Sequence, residues 1–314
     1  MSVTTSTVPG AAPPRRSLGR SRPRYGEAAI KVVLVAAATL SVATTIAIVI
    51  SLIPPTVRFF DKVDVGDFLG GTRWAALFKP PAYGVLPLVS GTLLVTAIAV
   101  AIAVPIGLAT AVYLSEYAHP RVRRTIKPVL EVLAGIPTVV FGFFALYAIT
   151  PLLQDWLPWA VEPRNALAPG LVMAVLLIPT VASLSEDAMA AVPMELRDGG
   201  YALGSSRMLV ALRVVVPAAF SGIVAAVILA ISRAIGETMI VYIGLGAKPT
   251  FTANPLVEGE TMAAYIAQAG SGDLPVSSFD YTTIFAVGTL LFAITFAMNA
   301  ISIRLVRKYR EVYE

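Results

Sequence analysis

The strongest constraint on this chain is a series of apolar runs, each close to the roughly 20 residues that a helix needs to cross a bilayer. They cover residues 29–53, 86–114, 129–150, 168–184, 214–246 and 282–303. Pro105, Pro137 and Pro179 fall inside the second, third and fourth runs, where they predict kinks. Such prolines are tolerated in spans because neighbouring helices re-satisfy the freed backbone groups. The expected fold is all-α, a polytopic membrane helical bundle with about six transmembrane helices.

Composition agrees. Of 314 residues, 57% are hydrophobic and 14% charged, against about 25% charged in a soluble domain. The mean hydropathy is +0.78. No soluble domain fits between the runs. The loops at 54–85 and 247–280 are the long ones on one side and are expected to carry short surface helices. The chain therefore reads as one membrane domain, 28–314, behind an N-terminal tail, 1–27. That tail is rich in Pro, Ser, Thr and Arg and is expected to be disordered. It lacks the short apolar core and cleavage site of a secretory signal.

Lys and Arg set the orientation. The tail to Lys31, the segments 115–128 and 184–219, and the C-terminal end together hold 17 of the 24, while the other three loops hold six. The richer side is expected to be cytoplasmic, with both termini on it, and the net charge of +5 needs no nucleic-acid partner. The predicted location is a bacterial cytoplasmic membrane.

Several chemistries are excluded. There is no Cys, hence no disulfide, thiolate site or Cys nucleophile. The single His, His119, lies in a polar loop without spaced co-ligands and reads as solvated. "GLGAKPT" at 244–250 misses a phosphate-binding loop because Pro249 stands where Ser or Thr is required. No catalytic residue, metal or cofactor is predicted.

The segment 184–219 is too long for a simple link between spans and carries helical periodicity in Met194, Leu196, Tyr201, Leu203, Met208 and Leu212. An amphipathic helix lying on the membrane is one reading. The other comes from "DGGYALGSSRMLVALRVVVP", which resembles the cytoplasmic motif of bacterial ABC importer permeases. Asp198, Gly199 and Gly200 take the places of Glu-Ala-Ala, Gly204 takes the glycine, and Val214, Val216 and Pro217 take the Ile, Leu and Pro. The resemblance implies a short helix pair that docks into a groove of an ATPase subunit, with Gly204 at the turn.

The likeness narrows further along the chain. "EVLAGIPTVVFGFFAL" (131–146), "SRAIGETMIV" (232–241) and "TMAAYIAQAG" (261–270) resemble the phosphate importer permeases, and "GETM" after the arginine is similar to the PstC-type subunit. The same four letters recur at 259–262, so position within a span carries the signal. The resemblance implies a type I ABC importer permease fold and the inorganic phosphate pathway of an ATP-driven importer. It implies as partners a PstA-like second permease, two copies of a PstB-like P-loop ATPase and an extracytoplasmic PstS-like phosphate-binding protein. On this reading the chain hydrolyses nothing itself. The rivals are a permease for sulfate, molybdate or phosphonate, and a membrane signalling or assembly protein.

Arg233 and Glu237 stand four residues apart inside the fifth run, a spacing that puts both on one face of a continuous helix. An ionisable group in a span is costly unless it pairs or faces water. One reading is an internal salt bridge that holds the bundle. The other is an anion pathway, with Arg233 binding the anion and Glu237 either neutralising Arg233 at rest or accepting a hydrogen bond from a protonated phosphate oxygen. Gly236 would then let a neighbouring helix approach. Thr138, Thr238 and backbone freed near Pro137 would add donors.

Overall fold

A computed structural model describes residues 25–157, 160–272 and 274–309. Residues 1–24, most of the expected tail, lie outside the described residues, whereas Tyr25, Gly26 and Glu27 already belong to the first helix. Residues up to Ser51 form one unit and residues from Leu52 a second.

The long helices follow the apolar runs. They are α1 (Tyr25–Phe60), α3 (Leu86–Val112, continued by a π-turn to Tyr117), α7 (Leu167–Ala190) and α14 (Phe279–Tyr309). The short α2 (Val65–Gly70) is capped by Asp64, whose Oδ1 accepts from Gly66 N at 2.7 Å. Among the described residues, five helical stretches are long and apolar enough to cross a membrane, and a sixth candidate is a helix pair bent by 72° at Ala219. That agrees with about six spans.

Three boundaries differ from the sequence reading. The third run is not one helix. Its first part joins the polar residues before it in α4 (Pro120–Ala134), and the span itself begins at Thr138 with α5 (Thr138–Phe144), running through a π-turn into α6 (Thr150–Trp156). Pro137 is the reason: a residue before proline is pushed out of the helical region, so α4 stops at Gly135 and Ile136. The fourth span runs on past 184 to Ala190, and a short turn then leads to Pro193, the N-cap of α8 (Met194–Ala202). The fifth run is cut twice. The helix that carries it begins ahead of the run, in α9 (Arg207–Val210), a π-turn and α10 (Val216–Ala218), bends at Ala219 into α11 (Phe220–Ile235), and breaks again before α12 (Met239–Gly244). After a loop, α13 (Met262–Ser271) precedes α14.

The centre of the second unit is α3 against α7, joined by Ala230 and Ala234 of α11 and Ile240 and Val241 of α12. Small residues set the distances. A Cβ on Gly107 would lie 2.7 Å from Val181 Cβ, and one on Gly170 would lie 2.7 Å from Ile98 Cγ2. Lipid supplies no hydrophobic drive between spans, so close van der Waals packing at small residues holds them together. A second, aromatic-rich core joins the loops before α3 and after α12: Phe59, Phe68, Trp74 and Tyr265 are all buried, with Trp74 edge-on to Tyr265 at 4.9 Å. Here the usual burial term applies, about 1.5–3 kcal/mol for each large apolar side chain.

Candidate functional site: helix breaks beside an arginine

The two interrupted runs meet. α5 and α12 pack together, and the contact is tight at Gly142, where a Cβ would lie 2.9 Å from the Met239 carbonyl oxygen. Each of these helices begins just after a break, at Gly135–Pro137 and at Gly236–Thr238. Helix starts leave N–H groups without intrahelical partners and carry a partial positive charge. Interrupted helices of this kind are how membrane transporters present backbone dipoles to a charged solute.

Arg233 stands in the last turn of α11, half-buried, and its Nη1 donates to Thr180 Oγ1 at 3.2 Å. Thr180 follows Pro179 in α7, and the sequence reading did not single it out; the proline inside the span was the available signal. Among the described residues Arg233 has no carboxylate partner.

This corrects the expected pairing. Glu237 is not on the same helix as Arg233, because α11 ends at Ile235. Its Oε1 accepts from Met239 N at 3.2 Å and from Ile240 N at 3.4 Å, so it caps α12 instead of neutralising the arginine. A carboxylate there is stabilised by the exposed amides of the first turn. Gly236 likewise serves differently from expectation. It is the C-cap of α11, and the nearest atoms to a Cβ there are carbonyl oxygens of its own helix, Ser232 at 3.7 Å and Arg233 at 3.9 Å, not a neighbouring helix. Thr138 opens α5 half-buried, and Thr238 donates to the Gly236 carbonyl at 3.2 Å.

The segment after α7 forms a helix pair. α8 ends at Ala202, the chain turns through Gly204 at φ +78°, and Ser206 caps α9, accepting from Leu209 N at 3.4 Å. A left-handed residue is what such a turn requires, and glycine adopts it without a Cβ clash. Gly200 lets the two helices touch, since a Cβ there would be 3.0 Å from Val210 Cγ2. Asp198 and Gly199 face open space, and Pro217 sits in α10 just before the bend at Ala219. Leu203 at the tip is 88% exposed, flanked by exposed Met194, Met208 and Leu212.

This pair is anchored to the bundle by charge. Arg197 Nη2 donates to Glu116 Oε1 at 3.1 Å and to the Met189 carbonyl at 2.8 Å, and its Nη1 donates to the Val192 carbonyl at 2.6 Å. Arg207 lies over the Tyr117 ring at 5.1 Å. Both ties reach the π-turn that ends α3. α4 is held in the same region: Arg123 and Lys127 both pair with Glu186, and Lys127 also with Asp187. His119 is not merely solvated; its Nδ1 accepts from Arg121 N at 3.3 Å and caps α4.

An all-helical bundle with interrupted spans, one of them broken just after an arginine that has no carboxylate partner among the described residues, is the architecture of a membrane transport subunit. Solved structures with the same fold include a bacterial alginate ABC transporter, which superposes with a TM-score of 0.61 over 93% of this chain and 100% of that one at 13% identity. The inward-facing MetNI methionine ABC transporter superposes with a TM-score of 0.55 over 71% of this chain and 96% of that one, at 18% identity. The family described as binding-protein-dependent transport system inner membrane component matches residues 103–311, and the chain belongs to that family.

Sequence relatives narrow the comparison. The probable ABC transporter permease protein YqgH of Bacillus subtilis is 32% identical over 85% of this chain and 86% of its own. The phosphate transport system permease protein PstC 1 of Mycobacterium tuberculosis is 37% identical over 72% and 73%. PstC of Mesorhizobium japonicum is 31% identical over 75% and 76%.

Proposed function

We propose that this chain is one of two permease subunits forming the inorganic phosphate pathway of an ATP-driven importer, with residues 28–314 as its permease domain. Arg233 is the observation that carries this reading. It is a half-buried cation in the last turn before the break that precedes α12, bound to a hydroxyl and free of any carboxylate among the described residues. A guanidinium in that state is ready to take an oxyanion bidentately. Thr180 is its hydroxyl partner, and Thr138 and Thr238, which stand at the starts of α5 and α12, are further pathway hydroxyls on this reading. Glu237 orients α12, and Gly236 ends α11 so that the break exists. The names of the relatives, PstC in several bacteria, favour phosphate over sulfate, molybdate or phosphonate.

The partners on this reading are a PstA-like permease, two copies of a PstB-like P-loop ATPase that bind and hydrolyse ATP, and a PstS-like extracytoplasmic binding protein. Asp198, Gly199, Gly200 and Gly204 build the helix pair that enters the ATPase groove, and Pro217 closes the docking segment in α10. The exposed apolar tip at Leu203 suits a partner's groove. Both termini and this helix pair lie in the cytoplasm, as the Lys and Arg bias requires. The ties from Arg197 and Arg207 to the end of α3 would carry motion of the ATPase into the spans.

The test is radiolabelled phosphate uptake in a bacterial strain lacking its own importer, with this chain co-expressed with its three partners. Uptake competed by phosphate and not by sulfate, molybdate or phosphonate supports the reading. Import of one of those anions in place of phosphate would refute it.

A further inference from the structure

A cavity of about 130 Å³ lies away from the helix breaks, in the aromatic-rich core. Trp74, Phe78, Pro249, Glu260, Tyr265 and Gln268 are on its wall. Its frame is rigid. Met262 N donates to Thr92 Oγ1 of α3 at 3.0 Å, and the Glu260 backbone sits so close to Gly91 that a Cβ there would be 2.3 Å from the Glu260 carbonyl oxygen. Tyr265 shares a hydrogen bond of 2.6 Å with Thr283 of α14.

Two of these wall residues carry a polar atom that has no hydrogen-bond partner among the described residues: Trp74 Nε1 and Glu260 Oε1. Their residues are 5% and 2% exposed. Buried polar atoms are paired in the large majority of cases, and a ligand or water in the cavity would supply the partner that these two lack. The cavity is several times the roughly 30 Å³ that one water occupies in the liquid.

The wall chemistry selects the ligand. An indole N–H only donates, and it cannot coordinate a cation. Gln268 adds a second donor group. Burial first, and the nearby charge of Glu258 second, push the Glu260 carboxyl up to about 8. Near neutral pH it therefore keeps its proton and donates, while its other oxygen still accepts. The titratable groups around it are Glu258 on the same loop, Tyr265 of α13, and Tyr83 and Asp280, which act on Tyr265. None of these is cationic.

We propose that this cavity is a second anion subsite, which holds a small protonated oxyanion such as inorganic phosphate on the neutral donors of Trp74, Gln268 and Glu260. It deepens the phosphate reading and rests on it. The loops that form the cavity, 54–85 and 247–280, are on the side that the charge bias places outside, so an incoming anion meets this site before Arg233. The apolar remainder of the wall strengthens each hydrogen bond by excluding water.

The test is direct binding to the full-length chain in lipid nanodiscs. The protein has three tryptophans, so Trp156→Phe with Trp159→Phe leaves Trp74 as the reporter on the cavity wall. At about pH 6.5, inorganic phosphate should change Trp74 emission saturably, and sulfate and chloride should not. At about pH 9.5, where Glu260 is ionised, affinity should fall at least tenfold. Glu260→Gln keeps a neutral donor and should bind phosphate at both values, which separates this effect from the titration of phosphate itself. Glu260→Leu should lose binding at least tenfold, with helicity by circular dichroism unchanged. Sulfate binding as tightly as phosphate, no response to phosphate, or binding indifferent to Glu260→Leu would each overturn the subsite. The readout needs no partner subunit. A chain that imports phosphate but fails here refutes the subsite alone, and one that binds here but imports another anion refutes the proposed function.

Discussion

Glu186 and its two cations hold α4 against the end of α7, and their burial is one-sided. The Glu186 side chain is 1% exposed, against 40% for Arg123 and 28% for Lys127. Lys127 Nζ donates to Glu186 Oε2 at 3.0 Å, while Arg123 closes on Oε1 as an ion pair without hydrogen-bond geometry. Deleting the carboxylate charge leaves two cations that water reaches, and an exposed pair is worth about 0–1 kcal/mol. Deleting both cations leaves a buried charge uncompensated, which costs about 3–5 kcal/mol.

The prediction is therefore asymmetric. Glu186→Gln should cost about 1 kcal/mol or less, and the Arg123→Ala, Lys127→Ala double variant about 3 kcal/mol. The triple variant should recover most of that loss, giving a coupling of about 2 kcal/mol. Unfolding by SDS titration in mixed micelles measures all three. The hydrogen bond from Lys127 to Asp187, and then those to Glu186, hold the Lys127 ammonium above its ordinary value of 10.5 despite partial burial. Its contribution is thus complete below pH 10.5 and lost as pH rises through the raised value, so assays at neutral pH see it in full. Equal costs for Glu186→Gln and the double variant, or a triple variant that merely sums them, would refute the one-sided burial.

Two further predictions concern the helix pair at Gly204 and the topology. Gly204 has a φ of +78° with no atom within 4 Å of a Cβ, so Gly204→Asp should leave the chain in the membrane, at a backbone cost of about 1–3 kcal/mol, yet abolish uptake by blocking the ATPase groove. Normal uptake with the ATPase co-purifying at wild-type yield would sink that role. Because the chain has no Cys, single cysteines at exposed Arg164 or at Ser278 should label with an impermeant reagent from outside, and one at Leu203 should not. Asn165, which the loop position also suggests for labelling, is fully buried with its amide donating to Thr150 Oγ1 and the Glu162 carbonyl, and labelling at Leu203 from outside would reverse the orientation.

Hydrophobic length was legible in the sequence, and so was the turn at Gly204, because both depend on residues close in the chain. The breaks were half legible. Pro137 signals one, but nothing in "RAIGETM" says that α11 stops at Ile235, since Gly236 and Glu237 are compatible with a continuing helix until tertiary packing places α12 against α5. That is why the Arg233–Glu237 pair, inferred from helical spacing, gives way to a contact with Thr180, 53 residues away. The ties of Lys127 to Glu186 and Asp187 span 59 and 60 residues and leave no local pattern. Glu260 sits in the second "GETM", where identical letters acquire a different environment because Gly91 admits the backbone and buries the carboxyl.

The central claim is that Arg233 binds the transported anion. Its most direct test is phosphate uptake by Arg233→Gln and by the Arg233→Leu, Glu237→Leu double variant, with membrane level and partner assembly matched to wild type. Losing a charge-assisted hydrogen-bond partner of about 1.5–3 kcal/mol predicts a fall in uptake of about 10- to 100-fold for Arg233→Gln. The double variant should fail as well, despite costing only about 1 kcal/mol in the lost cap of α12. Near-normal uptake by the double variant would show that both residues serve packing alone and that the anion crosses elsewhere.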